Sequence, residues 1–370
     1  MFSLTVPEQM LIVFAVALAV ALLAVPLAAA IGLAVGGPLV DQPRPGELQR
    51  RPIGRTGGYG IIVAFFAALL VSLPITDRSY EGFKEFPLLA GLALGAAFLI
   101  PFAAWDDAKR LPPMPQLLAQ IGCAIIPVLY GVRIDRISNF EVADVAPWLI
   151  GPLSVLWIVG MINALNWLDT MDGLAGGVSL IGALVLFAAS LVQRFPGQGR
   201  LDPQNSIALL GLALAGACLG FLAYNFPPAR IFMGTSGSMF LGYALGVISI
   251  IGGAKIATAA LVLGLPILDT ALVIIQRLLG RRSPFRGGDG THLVHRLRAA
   301  GYSVRQIVAL VYTLTALFGI LSLALVREQK IIAFLFVGAI IGGILLVLRR
   351  RAAAQAIGGS GNGEGQGSRA

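Results

Sequence analysis

Long apolar runs, interrupted at intervals by short polar stretches, set the pattern of this chain. Eleven runs are predicted as membrane-spanning helices: 10–31, 57–74, 86–105, 115–131, 147–164, 174–193, 205–224, 238–253, 255–277, 304–326 and 331–348. Their lengths suit a hydrocarbon layer of ~30 Å. The expected architecture is an all-α integral membrane protein, a polytopic bundle of about eleven transmembrane helices filling residues 1–348. The first run is too long for a signal-peptide core and lacks a basic leader, so it reads as a retained helix. In the ninth run Pro266 predicts a kink, and Asp269 lies inside it. The tail 349–370 opens with three arginines and continues in Gly, Ser, Asn and Gln, a composition that buries no core and predicts disorder.

The interruption between the fifth and sixth runs is patterned. Asn163, Asn166, Asp169 and Asp172 recur at intervals of three, and Gly173 follows. On a helix, Asn166, Asp169 and Asp172 would share a sector of about 120° and form one patch of oxygen ligands. Carboxylates at mid-membrane cost about 2.5–3.5 kcal/mol each, so such a patch is expected to face water, a cation, or both.

Composition narrows the class. Hydrophobic residues make up 57% of the chain and charged residues 12%, with a mean hydropathy of +0.85. A large soluble protein would show amphipathic stripes instead. The net charge of +9 does not point to nucleic acid, because the basic residues are dispersed through the loops. Anionic lipid and phosphate-bearing substrates are the expected partners. Cys123 and Cys218 fall within apolar runs and read as small packing residues. Of the 27 Lys and Arg, 18 fall in the tail and the loops after odd-numbered runs, and 9 in the opposite set. The positive-inside rule then places the N-terminus outside and the C-terminus in the cytoplasm, with the polar motifs on the cytoplasmic side of the inner membrane.

Three further constellations share that side. Asp106 and Asp107 end the third run beside Lys109 and Arg110. Adjacent helical residues diverge by about 100°, so one carboxylate can face a metal or substrate while the other holds a neighbouring cation. Asn225 to Ser238 forms a glycine-bearing polar loop entering the eighth run. Its backbone N–H groups suit phosphate, its Phe232 suits a nucleobase, and Ser236 or Ser238 suits a plain helix cap. The loop 277–303 holds both histidines, His292 and His295, among Arg281, Arg282, Arg286, Arg296 and Arg298, a basin for phosphate or a juxtamembrane basic belt. Arg55 opens a fourth, glycine-rich segment in the first loop.

Taken in order, these segments resemble the polyprenyl-phosphate N-acetylhexosamine-1-phosphate transferases, glycosyltransferase family 4, over roughly 35–300. The family's Arg-x-Gly-Gly is met by Arg55 to Gly58 and its Asp-Asp by Asp106 and Asp107. Its Asn-x-x-Asp-x-x-Asp-Gly is met by Asn166 to Gly173, and its Phe-Met-Gly-x-x-Gly-Ser by Phe232 to Ser238. The bacterial undecaprenyl-phosphate GlcNAc-1-phosphate branch is the most similar.

The resemblance implies that a polyprenyl (undecaprenyl) phosphate attacks the β-phosphorus of a UDP-N-acetylhexosamine. The products are a polyprenyl-diphosphate sugar and UMP, at the start of cell-envelope polysaccharide synthesis, and both direct attack and a covalent intermediate stay open. N-acetylglucosamine is the expected sugar, and Mg²⁺ the expected cofactor, with Mn²⁺ as a substitute. Implied catalytic residues are Asp106, Asp107, Asp169, His292 and His295. Implied substrate contacts are Arg55, Asp172, Asn225, Phe232, Arg282 and Arg296. Asn166, Asp169 and position 235 are implied metal ligands. Here the chain departs from the family: Thr235 stands where a carboxylate is usual, Val294 replaces the middle imidazole of a His-x-His-His motif, and Thr170 replaces a glycine. Threonine is a poor Mg²⁺ ligand. A weakly active or non-catalytic homologue that binds lipid phosphate is therefore a second reading, and an ion-coupled transporter a third. The oligomeric state is left open up to a homodimer.

Overall fold

The computed structural model describes residues 4–43, 51–75, 82–137, 140–191, 205–251, 255–281, 292–326 and 329–343. Among these, the helices are α1 Val6–Val35, α2 Gly57–Ile75, α3 Gly82–Lys109, α4 Pro113–Leu129, α5 Val142–Val145, α6 Ile150–Leu168 and α7 Leu174–Leu191. They continue as α8 Asn205–Asn225, α9 Gly234–Ile251, α10 Ile256–Val262, α11 Gly264–Leu279, α12 Leu293–Ala299, α13 Val304–Ala324 and α14 Gln329–Gly343. Two antiparallel ladders of two-residue strands, Val40–Asp41 with Ile53–Gly54 and Arg136–Ile137 with Phe140–Glu141, complete the elements.

Within the described residues each of the eleven apolar runs is largely helical. Among those residues eight helices are long and apolar enough to cross a membrane by themselves. The ninth run is split into α10 and α11, which meet at 79°. Pro266, in the first turn of α11, has no N–H to offer the Val262 carbonyl, so the hydrogen-bond ladder breaks where the sequence predicts a kink. The fourth and eleventh runs form the shorter apolar helices α4 and α14. The chain is a multi-pass, all-α membrane protein. Helices satisfy their own backbone groups, which hydrocarbon demands.

The bundle is built around α9. In its apolar stretch 89% of the residues are inside the protein, against 22% for α1 at the periphery. Small residues let α9 approach its neighbours: Gly242 lies against the backbone of Met161 and Ile162 on α6, where a Cβ would have no room. Buried polar side chains then tie helices together. The Tyr243 hydroxyl donates to the Leu92 carbonyl of α3 at 2.9 Å. The Trp157 indole of α6 donates to Ser249 Oγ of α9 at 3.0 Å. These ties hold α9 against α3 and α6 along the body of the bundle, away from the helix ends that carry the motifs.

Candidate active site

At one end of the bundle the C-terminal ends of α3, α6 and α8 meet the N-terminal ends of α2, α7 and α9. They enclose a cavity of about 410 Å³, lined by Asp41, Arg55, Arg110, Asn166, Asp169, Thr170, Met171, Asp172, Asn225, Phe232, Met233, Gly234, Thr235 and Ser238. The motifs separated in sequence are brought to one place here.

Local structure corrects the expectation that Asn166, Asp169 and Asp172 share a helix face. Helix α6 stops at Leu168, and Asp169 is its C-cap with ψ 62°. Short polar residues compete with the helical backbone for hydrogen bonds, and Gly173 takes φ +76°, a left-handed conformation that starts α7 in a new direction. The turn is cross-linked to the 226–233 loop. Asp172 Oδ2 accepts from the Ala229 N–H at 2.9 Å. Asn225 accepts from the Gly173 N–H and donates to the Ile231 carbonyl, both at 2.8 Å. Asn166 Oδ1 accepts from the Ser238 hydroxyl at 2.9 Å. Asn163, by contrast, turns to Gln120 at 2.6 Å and packs α6 against α4.

The aspartate pair divides as its helical geometry requires. Asp107 reaches across to the start of α9, where its Oδ1 accepts from the Thr235 N–H at 2.6 Å and its Oδ2 from the Ser236 N–H at 3.1 Å and the Ser236 hydroxyl. It occupies the anion position at that helix N-terminus, so neither Ser236 nor Ser238 is the cap. Asp106 turns back on its own chain, accepting from the Leu111 N–H at 2.8 Å, and is not among the cavity-lining residues. The residue after this turn that enters the cavity is Arg110, whose φ is +50°.

Asp169 is different. Among the described residues no hydrogen bond reaches its carboxylate. Burial pushes its pKa up to about 7, against the pull of Arg55 and with help from the negative charges of Asp107 and Asp172. A carboxylate without a donor among the described residues, in a cavity that also presents amide and hydroxyl oxygens, could hold a cation.

Backbone pairing supplies the remaining wall. Phe232 N–H donates to the Gly54 carbonyl at 2.9 Å, and the Phe232 and Met233 carbonyls accept from Gly57 and Gly58 at 3.0 and 2.9 Å. This seats Arg55 beside the start of α9. Gly234 sits at φ +75°, and a Cβ there would overlap the Arg55 carbonyl. Gly234→Ala is expected to lower stability by roughly 1–2 kcal/mol from the left-handed backbone alone, with more from the overlap. Thermal unfolding in detergent, with turnover measured in parallel, checks this.

The histidines form a neighbouring cluster that does not line the cavity. His292 Nδ1 meets Asp269 Oδ2 at 2.7 Å, and the Leu293 N–H donates to Asp269 Oδ1 at 2.9 Å, so the buried Asp269 caps α12. The His292 ring stands edge-on to Trp167 at 5.6 Å, and the His295 ring lies 6.5 Å from it. The Arg277 guanidinium lies over the Trp167 ring, 5.6 Å from its centroid. Arg296 reaches Gln276 at 3.3 Å. Trp167 adjoins Asn166 at the end of α6, which puts this cluster at the same end of the bundle as the cavity. Arg282 and the tail 349–370 lie outside the described residues.

Asp41 and Met171 line the cavity without having been expected there, as do Arg110, read as a cation beside the aspartate pair, and Ser238, read as a helix cap. Tyr312 is the residue that no motif reached. It comes from α13 and donates to the Gly173 carbonyl at 2.5 Å.

Comparison with known proteins gives the family. Residues 89–253, which carry α3 through α9, match the model of glycosyl transferase family 4. A Bacillus subtilis (strain 168) protein named a probable undecaprenyl-phosphate N-acetylglucosaminyl 1-phosphate transferase is 33% identical over 329 residues, covering 86% of this chain and 85% of its own length. A Mycolicibacterium smegmatis decaprenyl-phosphate N-acetylglucosaminephosphotransferase is 32% identical over 308 residues, 76% of this chain and 73% of that protein. A Synechococcus phospho-N-acetylmuramoyl-pentapeptide-transferase is 33% identical over 223 residues, 56% of this chain and 61% of that protein. On identity sustained over most of its length, this chain belongs to glycosyl transferase family 4.

Proposed function

We propose that the chain transfers N-acetylhexosamine-1-phosphate, with N-acetylglucosamine as the sugar, from a UDP-sugar to a polyprenyl phosphate and releases UMP. The observation that carries this reading is the Asp169 carboxylate, without a hydrogen-bond donor among the described residues, in a polar cavity that also presents Arg55 and Arg110. Such a site suits two phosphorylated ligands and a divalent ion, and the relatives' names supply the substrate class. Phosphoryl transfer needs positioning and charge neutralisation more than covalent chemistry.

The donor set fits Mg²⁺ or Mn²⁺ without a dedicated cage. Mg²⁺ is commonly held by one or two carboxylates plus substrate phosphates. Asp169 and Asn166 would hold it, with Thr235 alongside, and it would neutralise charge on the diphosphate. Asp107 is engaged by three donors and acts by fixing α9. Arg55 and Arg110 would face the phosphates, and Phe232 with Asp172 the uridine. His292, His295 and Arg296 would approach the diphosphate from the end of α6. With eleven crossings and the N-terminus outside, this end of the bundle faces the cytoplasm, where sugar nucleotides and the inner-leaflet lipid phosphate meet.

A test is UMP release by the purified protein across a panel of UDP-sugars, with and without undecaprenyl phosphate. Release that needs both the lipid and UDP-N-acetylglucosamine is expected; no lipid-dependent release with any donor would end the proposal. A pH dependence also follows. A carboxyl raised from 3.8 to about 7 destabilises the metal-free protein as pH climbs from the first value to the second, and the same ionisation creates the cation ligand. Half-maximal activation is expected to need less Mg²⁺ at pH 8 than at pH 6. The acid limb of the rate profile should move to lower pH as Mg²⁺ is raised. A limb indifferent to Mg²⁺ would contradict the assignment.

A further inference from the structure

The turn 169–173 carries two of the three aspartates that line the cavity, Asp169 and Asp172, yet it has no regular secondary structure to hold it. Its fixed point is the Gly173 residue, gripped from two sides. On the N–H side the Asn225 amide accepts at 2.8 Å. On the carbonyl side the Tyr312 hydroxyl donates at 2.5 Å. The first partner comes from α8, the second from α13, a helix beyond both the matched family region and the motif segments.

The local sequence is shaped around this contact. Gly177, one turn into α7, leaves the space the Tyr312 ring fills: a Cβ at 177 would overlap the ring and its hydroxyl. At Gly173 a Cβ would stand 3.4 Å from the same hydroxyl and 3.0 Å from Pro227. The ring is therefore seated by two glycines of the turn–helix junction. A phenol is well suited to the position, with an apolar body among helices and one donor at its tip. Helix α13 also follows α12, which carries His295, with only Ala300 to Ser303 between them. One helix thus meets the aspartate turn and the histidine segment.

We infer that Tyr312 is a positioning residue, which holds the Asp169–Asp172 turn in register with the cavity through the Gly173 carbonyl. This rests on the function proposed above and deepens it. Displacing reacting groups by about 1 Å can lower rates by up to about 10²-fold, so a hydroxyl that fixes this turn bears on turnover out of proportion to its single bond.

The test compares Tyr312→Phe with Tyr243→Phe in the full chain. The second variant removes a hydroxyl of the same kind, buried between α9 and α3, whose partner is Leu92. Turnover is read with UDP-N-acetylglucosamine and undecaprenyl phosphate, UDP binding by calorimetry, and unfolding temperature in detergent. For Tyr312→Phe the expected result is a kcat lowered about tenfold with the lipid KM within about twofold of wild type, and weaker UDP binding. Tyr243→Phe should lower the unfolding temperature and leave kcat and UDP binding unchanged. Equal kcat and UDP affinity in Tyr312→Phe and wild type would overturn the inference. So would losses in both variants that merely track unfolding temperature. If the wild type binds UDP but does not turn over, the functional reading fails separately, and the calorimetric comparison decides the role of Tyr312. A wild type that binds no UDP sinks both.

Discussion

Asp169→Asn is expected to lower turnover by about 10²- to 10⁴-fold while leaving the protein as stable as wild type or slightly more so. The substitution keeps size and polarity and removes only the charge. No hydrogen bond is lost, because none reaches the carboxylate among the described residues. Burial already disfavours its ionised form, raising its pKa to about 7. An amide removes that penalty and, with it, the anionic ligand or base. The opposed signs separate a functional group from a structural one. A loss of turnover that follows a loss of stability would contradict this assignment, as would full activity in the variant.

Asp107→Ala is expected to do the reverse and unfold the site. Its carboxylate accepts from two backbone N–H groups and one hydroxyl at the start of α9. Removing it leaves these donors buried without an acceptor and a helix N-terminus without its anion, a loss on the order of 2–4 kcal/mol. Helix α9 is the central helix, and Phe232, Thr235 and Ser238 lie at its start, so stability and turnover should fall together. Asp107→Asn keeps one acceptor oxygen and should fall between. Denaturation of the purified variants in detergent, monitored by circular dichroism beside the turnover assay, measures both. An Asp107→Ala protein with wild-type stability and no activity would instead place Asp107 in the chemistry itself.

What the sequence could convey follows from the range of each interaction. Apolar runs report helices because the membrane makes helix formation a local requirement, and the described part of each of the eleven runs is largely helical. Pro266 marked the break between α10 and α11 for the same reason. The three-residue rhythm of Asn166, Asp169 and Asp172 marked residues that line one cavity but suggested the wrong geometry. Periodicity is silent on where a helix stops, and the chain turns at Asp169 instead of continuing. The roles within the Asp106–Asp107 pair were undetermined by spacing, because the partner of Asp107 lies at Thr235 and Ser236, on another helix. Likewise, nothing local pairs Asp269 with His292. Tyr312 was invisible for the opposite reason: a tyrosine in an apolar run reads as packing until the fold puts the Gly173 carbonyl against its hydroxyl.

The most direct measurement follows the β-phosphate. Purified protein in undecaprenyl-phosphate vesicles with Mg²⁺ is given UDP-N-acetylglucosamine labelled on that phosphorus. Label moving into the lipid fraction, with UMP in equal amount in the aqueous phase, is the expected result, and Asp169→Asn should suppress both. Label retained in UDP while the sugar alone reaches the lipid, or no transfer at all, would contradict phosphosugar transfer at this cavity.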